Sequence, residues 1–290
     1  MKPSNFRYVV PEDLESAIIA RSGSEDSVVL AGGQSLVPTM NFRLSNPDVV
    51  IDLRKVAELD FIRVEDGNIH IGAMTRQRKL EQSAEAFEAN PLIRETLENI
   101  AHPVIRNRGT VGGSLAHADP SAELPTLFTL MRGTLVAQGP NGRRSILAED
   151  FFEFIFSTSL EPDELLVEAI VPQLEKGEGY AFLEFARRHG DYAVAGVGAT
   201  LRLSKDGSIS QARLGACGIS TKPALLKASE QILVGEVPSK ELFERAGDAA
   251  KQYVSSSDDP GMPPGYRPHV LSGLVARVLS NALVRAESGR

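Results

Sequence analysis

Two glycine doublets are the residues of this chain whose type and spacing could do chemistry. Gly32-Gly33 stand in AGGQSLVP (31–38), after the run Ser27–Leu30, and Gly112-Gly113 stand in TVGGSLAHAD (110–119). Consecutive glycines let successive backbone N–H groups converge on one anion, because no Cβ blocks the required φ values or the approach of a ligand. Gln34 and Ser35 add side-chain donors to the first doublet, and Ser114 follows the second. For either segment alone, a tight turn needing positive φ is the plainer reading. Taken together, two Gly-Gly-(x)-Ser loops in one α/β region fit the two phosphates of a dinucleotide pyrophosphate.

Other chemistries fit less well. A Rossmann fingerprint needs G-x-G-x-x-G, but counted from Gly32 the second and third glycine positions hold Gln34 and Val37. Asp52 lies where a ribose-binding acid would be expected, yet it reads as the end of a strand. No Gly-Lys-Ser/Thr is present for a P-loop. His102, His117 and Asp119 are separated by 15 and 2 positions, a spacing that matches no usual metal site. Ser114, His117 and Asp119 are too close in sequence for a hydrolase triad, and there is no G-x-S-x-G elbow. Arg106 and Arg108 in IRNRG read first as partners of carboxylates and second as phosphate ligands. The Phe-rich stretch 151–156 reads as core.

Composition narrows the field further. The 290 residues are 42% hydrophobic and 24% charged, with a net charge of −7. That is globular and long enough for two domains. Its scattered basic residues form no nucleic-acid-binding patch. Cys217 is the single cysteine, so a four-thiolate iron–sulfur cluster must sit on another chain. No window approaches a membrane span, and MKPSNFRYVVPEDLES has no signal-peptide apolar core. The expected location is cytoplasmic.

The doublets must be positioned by an alternation of strands and helices. FRYVV, SVVLA (27–31) and PDVVIDL (47–53) read as strands, with a helix after Pro11 carrying Leu14, Ala17 and Ile18 on one face. DGNIHIGA (66–73) reads as a turn and strand, Thr75 as the cap of the next helix, and Asn90-Pro91 as the start of another. An apolar helix to about Met131 follows, then a strand TLVAQ and a GPNG turn. Pro172 to Gly179 reads as a boundary. Beyond it come long strands, one pair joined across KDG, then helices at about 222–234, 239–253 and 268–287. Residues 255–265 read as a loop.

Four stretches, AGGQSLVPTMNFRLSNPDVVIDLRKV, IRNRGTVGGSLAHADPSAELP, SLEPDELLVEAIVP and RRHGDYAVAGVGA, together resemble the FAD-binding medium subunits of the molybdenum hydroxylase family. This is the xanthine dehydrogenase and carbon monoxide dehydrogenase group. The resemblance runs from about residue 3 to 280. It implies an α+β fold: a two-lobed FAD-binding domain of the vanillyl-alcohol-oxidase (PCMH) type at 1–175, with sub-lobes at about 1–56 and 57–175. A C-terminal domain of the CO dehydrogenase flavoprotein type would fill 176–290, with a three-stranded antiparallel sheet and helices.

The resemblance also implies which residues meet the cofactor. Ala31, Gly32, Gly33, Gln34, Ser35 and Leu36 would wrap the FAD pyrophosphate. Thr110, Gly112, Gly113, Ser114 and Ala116 would form the second wall. Glu123 matches an acidic position that contacts ribityl or ribose hydroxyls, Asp191 and Tyr192 match the segment against the isoalloxazine, and Leu166 matches a flavin contact. Two positions depart from the common pattern: Ser114 stands where many relatives have Asn, and Glu184 where Lys is frequent. No cysteine lies in either glycine loop, so noncovalent FAD is expected. The implied role is electron transfer from [2Fe–2S] clusters through FAD to an external acceptor. The clusters and molybdopterin would lie on a small and a large partner subunit, in a dimer of heterotrimers. The alternative is a stand-alone FAD-dependent oxidase or dehydrogenase with its own organic substrate.

Overall fold

In the computed structural model, which describes residues 2–255 and 262–289, the first lobe is a parallel sheet of three short strands. These are β1 (Arg7–Val9), β2 (Ser27–Leu30) and β3 (Val49–Asp52), in the order β1-β3-β2. Central β3 reads Val-Val-Ile-Asp and is buried throughout, as expected of a strand covered on both faces. Helix α1 (Leu14–Ser22) makes the first crossover and is started by a capping box between Asp13 and Ser16. A second, short helix, α2 (Leu36–Asn41), follows the first glycine doublet; the sequence pattern there shows no clear helix.

The second lobe begins with β4 (Ile62–Glu65) and β5 (Asn68–Gly72), then five helices in succession: α3 (Gln77–Glu81), α4 (Ala84–Ala89), α5 (Leu92–Asn99), α6 (Pro103–Arg106) and α7 (Val111–His117). Thr75 does not cap α3. Arg76 occupies the cap position, and the Thr75 hydroxyl donates to Phe61 O at 2.8 Å instead. Asn90 does cap α5, accepting from Leu92 N at 3.2 Å. The chain continues through α8 (Glu123–Leu130), β6 (Thr134–Gly139), β7 (Gly142–Leu147), α9 (Ala148–Phe151), the small pair β8 (Phe152–Phe154) and β9 (Ser157–Thr158), and β10 (Leu165–Pro172). The main sheet is antiparallel, ordered β4-β5-β10-β6-β7. Val136, Leu165 and Val167 of this sheet pack with Leu14, Ala17 and Ile51 of the first lobe, so the two lobes share a core.

Strands β11 (Gly179–Phe185), β12 (Ala195–Leu203) and β13 (Ile209–Cys217) form the expected antiparallel sheet, to which the two-residue β14 (Ala224–Leu225) adds a fourth member. Helices α10 (Lys227–Leu233), α11 (Lys240–Ala250) and α12 (Tyr266–Ser288) cover one face with a core of Leu, Val and Ala. The other face rests on α8. Gly198 and Gly215 leave it flat there, since a Cβ on either would stand 2.8 or 3.1 Å from the Leu130 side chain. Of the loop expected at 255–265, residues 256–261 lie outside the described residues.

Candidate functional site

β2 ends at Leu30, and the chain leaves the C-terminal end of the parallel sheet through Ala31–Ser35 before entering α2. Gly33 sits at φ +72°, a conformation natural to glycine. Among the described residues, the backbone N–H groups of Gly32, Gly33, Gln34 and Ser35 donate to no group of the chain. Nor do the side chains of Gln34 and Ser35 take a hydrogen-bond partner there. Four consecutive unpaired amides at a half-buried turn form a donor surface that an anion would complete.

The second doublet is not a loop. Gly112, Gly113, Ser114 and Ala116 lie in α7, whose N-cap is Thr110. The first amides of this helix are already used: Val111 N donates to Thr75 O at 2.9 Å and Gly112 N to Ala73 O at 2.9 Å. Gly113 N donates to Thr110 Oγ1 at 3.1 Å. Two adjacent glycines lower helix propensity, which is why the sequence reads as a loop. Tertiary packing overrides that cost, because a Cβ on Gly112 would stand 2.5 Å from Ala73 Cβ. The two doublets therefore play different parts. The first offers amides; the second offers a smooth wall, with the Ser114 hydroxyl half-buried beside it.

The walls touch. A Cβ on Gly32 would lie 2.6 Å from Arg108 O and 2.8 Å from Gly109 Cα, and one on Gly113 would lie 3.3 Å from Ala31 Cβ. Segments about eighty residues apart in sequence are thus brought together. Gly109 carries a role that the sequence reading passes over. Gln77 N donates to Gly109 O at 2.9 Å, and a Cβ there would collide with the Gln77 side chain.

Beyond α7 the chain turns at Ala118, which adopts φ +51°, and passes Asp119 into α8, where Glu123 is the first residue. Asp191 and Tyr192 belong to the exposed connection between β11 and β12, which Val194 N closes by donating to Phe185 O at 2.8 Å. Gly190, at φ +87°, lets this connection lie on the His102 ring. Tyr192 is 72% exposed. Partial desolvation, with the carboxylates of Asp119 and Glu123, pushes its phenol up. Ala116 is exposed on α7, whereas Leu166 is buried in β10 at a register shift.

Glu123 is only 8% exposed, and Glu184 on β11 carries a buried Oε2 with no hydrogen-bond partner among the described residues. Burial pushes both carboxyls up, Glu123 to about 7 and Glu184 to about 9, and mutual repulsion adds to the rise at Glu184. Sequence reading singles out each residue separately but gives no signal that one acts on the other.

The other polar residues have structural places. Arg106 is buried against Glu81, with Nε to Oε2 at 2.8 Å, and its Nη1 donates to Ile100 O at 2.7 Å. Asp52 closes β3 and accepts from Arg54 N at 2.9 Å. His102, His117 and Asp119 do not converge: the His102 ring lies 5.7 Å from that of His189, and His117 stacks on Phe156 at 4.8 Å. Only half of the Phe-rich stretch is core. Phe151 and Phe152 are buried, while Phe154 and Phe156 are 57% and 59% exposed at the tip of the β8–β9 hairpin. Phe151 ends α9 and Phe152 opens β8, and the irregular pairing between Phe152 and Phe154 carries the rest of the hairpin out of the core.

Residues 4–174 match the family described as the FAD binding domain in molybdopterin dehydrogenase, and residues 180–282 match the CO dehydrogenase flavoprotein C-terminal domain. The 6-hydroxypseudooxynicotine dehydrogenase complex subunit alpha of Paenarthrobacter nicotinovorans is 41% identical, the alignment covering 99% of this chain and 97% of that one. The carbon monoxide dehydrogenase medium chain of Hydrogenophaga pseudoflava is 34% identical over 98% of this chain and 99% of its own. A solved structure of carbon monoxide dehydrogenase from Hydrogenophaga pseudoflava superposes with a TM-score of 0.95 at 35% identity, covering 98% of this chain and 99% of that chain.

Proposed function

The chain belongs to the family of FAD-binding medium subunits of molybdenum hydroxylases, and from that membership we propose that its two glycine walls hold the FAD pyrophosphate noncovalently. The single observation that carries this placement is the run of four unpaired amides at Gly32–Ser35, set against the close wall of Gly113. A pyrophosphate, with one negative charge on each phosphate, matches such a surface in charge and in donor count. Ala31 and Leu36 flank the nest. Thr110 holds the start of α7 in place, and Ser114 offers a hydroxyl where the two walls meet. Gly112 keeps α7 close to the sheet, and Ala116 extends its exposed face. Asp191 and Tyr192 close the outer side, Glu123 stands at the inner end, and Leu166 backs the cleft from β10.

Bound FAD supplies the redox chemistry, accepting electrons and passing them to an external acceptor. The protein's own residues bind the cofactor, orient it and set the local charge. The role is that of an electron-transfer subunit in a heteromeric oxidoreductase, with molybdenum and iron–sulfur centres on the other subunits. A stand-alone oxidase is not favoured, because relatives matching over nearly their whole length are named as subunits or chains of multi-subunit dehydrogenases. Among the described residues, no helix is long and apolar enough to cross a membrane. Our reading further assigns a cytoplasmic location, an FAD-binding domain at 1–175 with a C-terminal domain at 176–290, and assembly as a dimer of heterotrimers with one large and one small partner.

Purification from the native host, followed by flavin, iron and molybdenum analysis, tests the role. Copurification of molybdopterin and [2Fe–2S] chains with one FAD per copy of this chain is expected. A chain that takes up no FAD and captures no such partner would overturn it.

A further inference from the structure

Five arginines lie between residues 76 and 108, on the way to the second glycine wall, and the fold uses three of them. Arg78 and Arg106 pair with Glu81 at 2.7 and 2.8 Å. Arg94 donates to Glu81 O at 2.8 Å and lies over the Phe87 ring. Arg76 and Arg108 are different: among the described residues neither guanidinium forms an ion pair. The Arg108 side chain is exposed, and Arg76, half-buried, makes one hydrogen bond, from Nη1 to Arg108 O.

That oxygen fixes where the Arg76 guanidinium stands. A Cβ on Gly32 would lie 2.6 Å from Arg108 O, so the oxygen borders the first of the four unpaired amides. The backbone brings Arg76 to this point. It pairs with Thr110 in an antiparallel bridge, held by Val111 N to Thr75 O and Gln77 N to Gly109 O, both at 2.9 Å. Thr110 in turn caps α7, and its N would stand 3.1 Å from the same Cβ on Gly32. A guanidinium has five N–H donors. One is used here, which leaves four at the rim of the nest among the described residues. Neighbouring carboxylates are committed elsewhere. Asp52, in register with Leu30, is paired with Arg54 at 3.1 Å and accepts from Tyr8 Oη, and Asp60 is paired with Lys79 at 2.8 Å.

We propose that Arg76 is a phosphate-binding residue: its guanidinium meets the FAD pyrophosphate from the second wall while the Gly32–Ser35 amides meet it from the first. The assignment rests on the cofactor placement proposed above and adds to it a charge that neither glycine wall carries. Amides present dipoles, whereas a planar guanidinium presents a full charge with donors spaced for two phosphate oxygens. A cation on this side also compensates for what the second wall lacks, since the amides of Val111, Gly112 and Gly113 all donate within the protein.

Titration of the full-length, cofactor-free chain with FAD, followed by flavin fluorescence at several salt concentrations, tests the assignment. Wild-type affinity should fall as salt is added, because screening weakens attraction between partly exposed charges. Arg76→Gln should bind FAD roughly tenfold more weakly at low salt, with a shallower salt dependence. Arg76→Lys keeps the charge but not the fork, and should recover part of the affinity and most of the salt dependence. An arginine that served only to hold Arg108 O would change affinity and leave the salt dependence as it was. Equal FAD affinity, or an equal salt dependence, in wild type and Arg76→Gln therefore overturns the assignment and leaves the cofactor site standing. A wild-type affinity indifferent to salt overturns it too, and needs no variant to fold. No FAD uptake by folded wild type at any salt concentration overturns the cofactor site and the assignment with it.

Discussion

Gly113 lies against Ala31: a Cβ added to Gly113 would stand 3.3 Å from Ala31 Cβ and 2.6 Å from Thr110 Oγ1. There is no room for a branched side chain between the walls, and the Thr110 cap would be displaced first. Gly33 is constrained differently, since its φ of +72° is strained for any β-branched residue. Gly33→Val and Gly113→Val should each lower the flavin-to-protein absorbance ratio after FAD incubation and gel filtration at least tenfold. The helices of the C-terminal domain should keep their circular dichroism. Unchanged flavin content in both variants would refute the two-wall site.

Buried Arg106 makes two hydrogen bonds to Glu81, at 2.8 and 3.2 Å, and Arg78 adds a third at 2.7 Å. Burial works to raise Glu81, but the hydrogen bonds and charges of Arg106 and Arg78 outweigh it and hold the carboxyl below its usual range. Removing Arg106 leaves the buried Glu81 carboxylate with Arg78 alone, so Arg106→Met should cost up to about 3–5 kcal/mol in urea denaturation. The double variant Glu81→Leu/Arg106→Met should recover much of that loss. For a carboxyl lowered by folding, the stabilisation is present at neutral pH and is lost as pH falls through the folded-state value. The wild type should therefore destabilise more steeply in acid than the double variant.

These two sites also show what the sequence could reveal. Gly32-Gly33 after an apolar run is legible because strand, turn and glycine chemistry are local. The role of Gly112-Gly113 is not, because helix α7 forms against propensity and is held by Thr110 and by packing on Ala73. Arg106 reads from the sequence as a carboxylate partner ahead of a phosphate ligand, but that its partner is Glu81 is not legible. Phe151–Phe156 misleads because a hydrophobic run reads as core, while the irregular β8–β9 hairpin carries Phe154 and Phe156 out to its exposed tip. The influence of Glu123 on Glu184 depends on α8 lying against the C-terminal sheet, which no local pattern encodes.

Glu184 makes a linkage prediction with its sign fixed. Its carboxyl rises on folding from an ordinary value of 4.5 to about 9, burial being the first cause and Glu123 the second. The folded state therefore binds more protons than the unfolded state between those two values. Stability must decline as pH rises across that window, by at most about 1.4 kcal/mol per pH unit for one group. Below the lower value the group has no effect on the slope. Between pH 6 and 8 the wild-type Tm should fall by roughly 5 °C relative to Glu184→Gln. Parallel Tm profiles for the two proteins would contradict the raised carboxyl.

Two glycines of the α11–α12 pair should respond in opposite ways to the same substitution. Gly273 is exposed on α12, has no positive φ, and a Cβ there meets nothing within 4 Å. Alanine at this position removes unfolded-state entropy and improves helix propensity, so Gly273→Ala should gain about 0.5–1 kcal/mol. Gly247 on α11 is buried, and a Cβ there would stand 2.4 Å from Ser272 O on the neighbouring helix. The backbones can approach this closely only without a side chain, so Gly247→Ala must push α11 from α12 and should lose about 1–3 kcal/mol by overpacking. Urea titration of both variants with unchanged m-values measures the pair. A gain at Gly247, or a loss at Gly273, would show that the two helices do not pack as described.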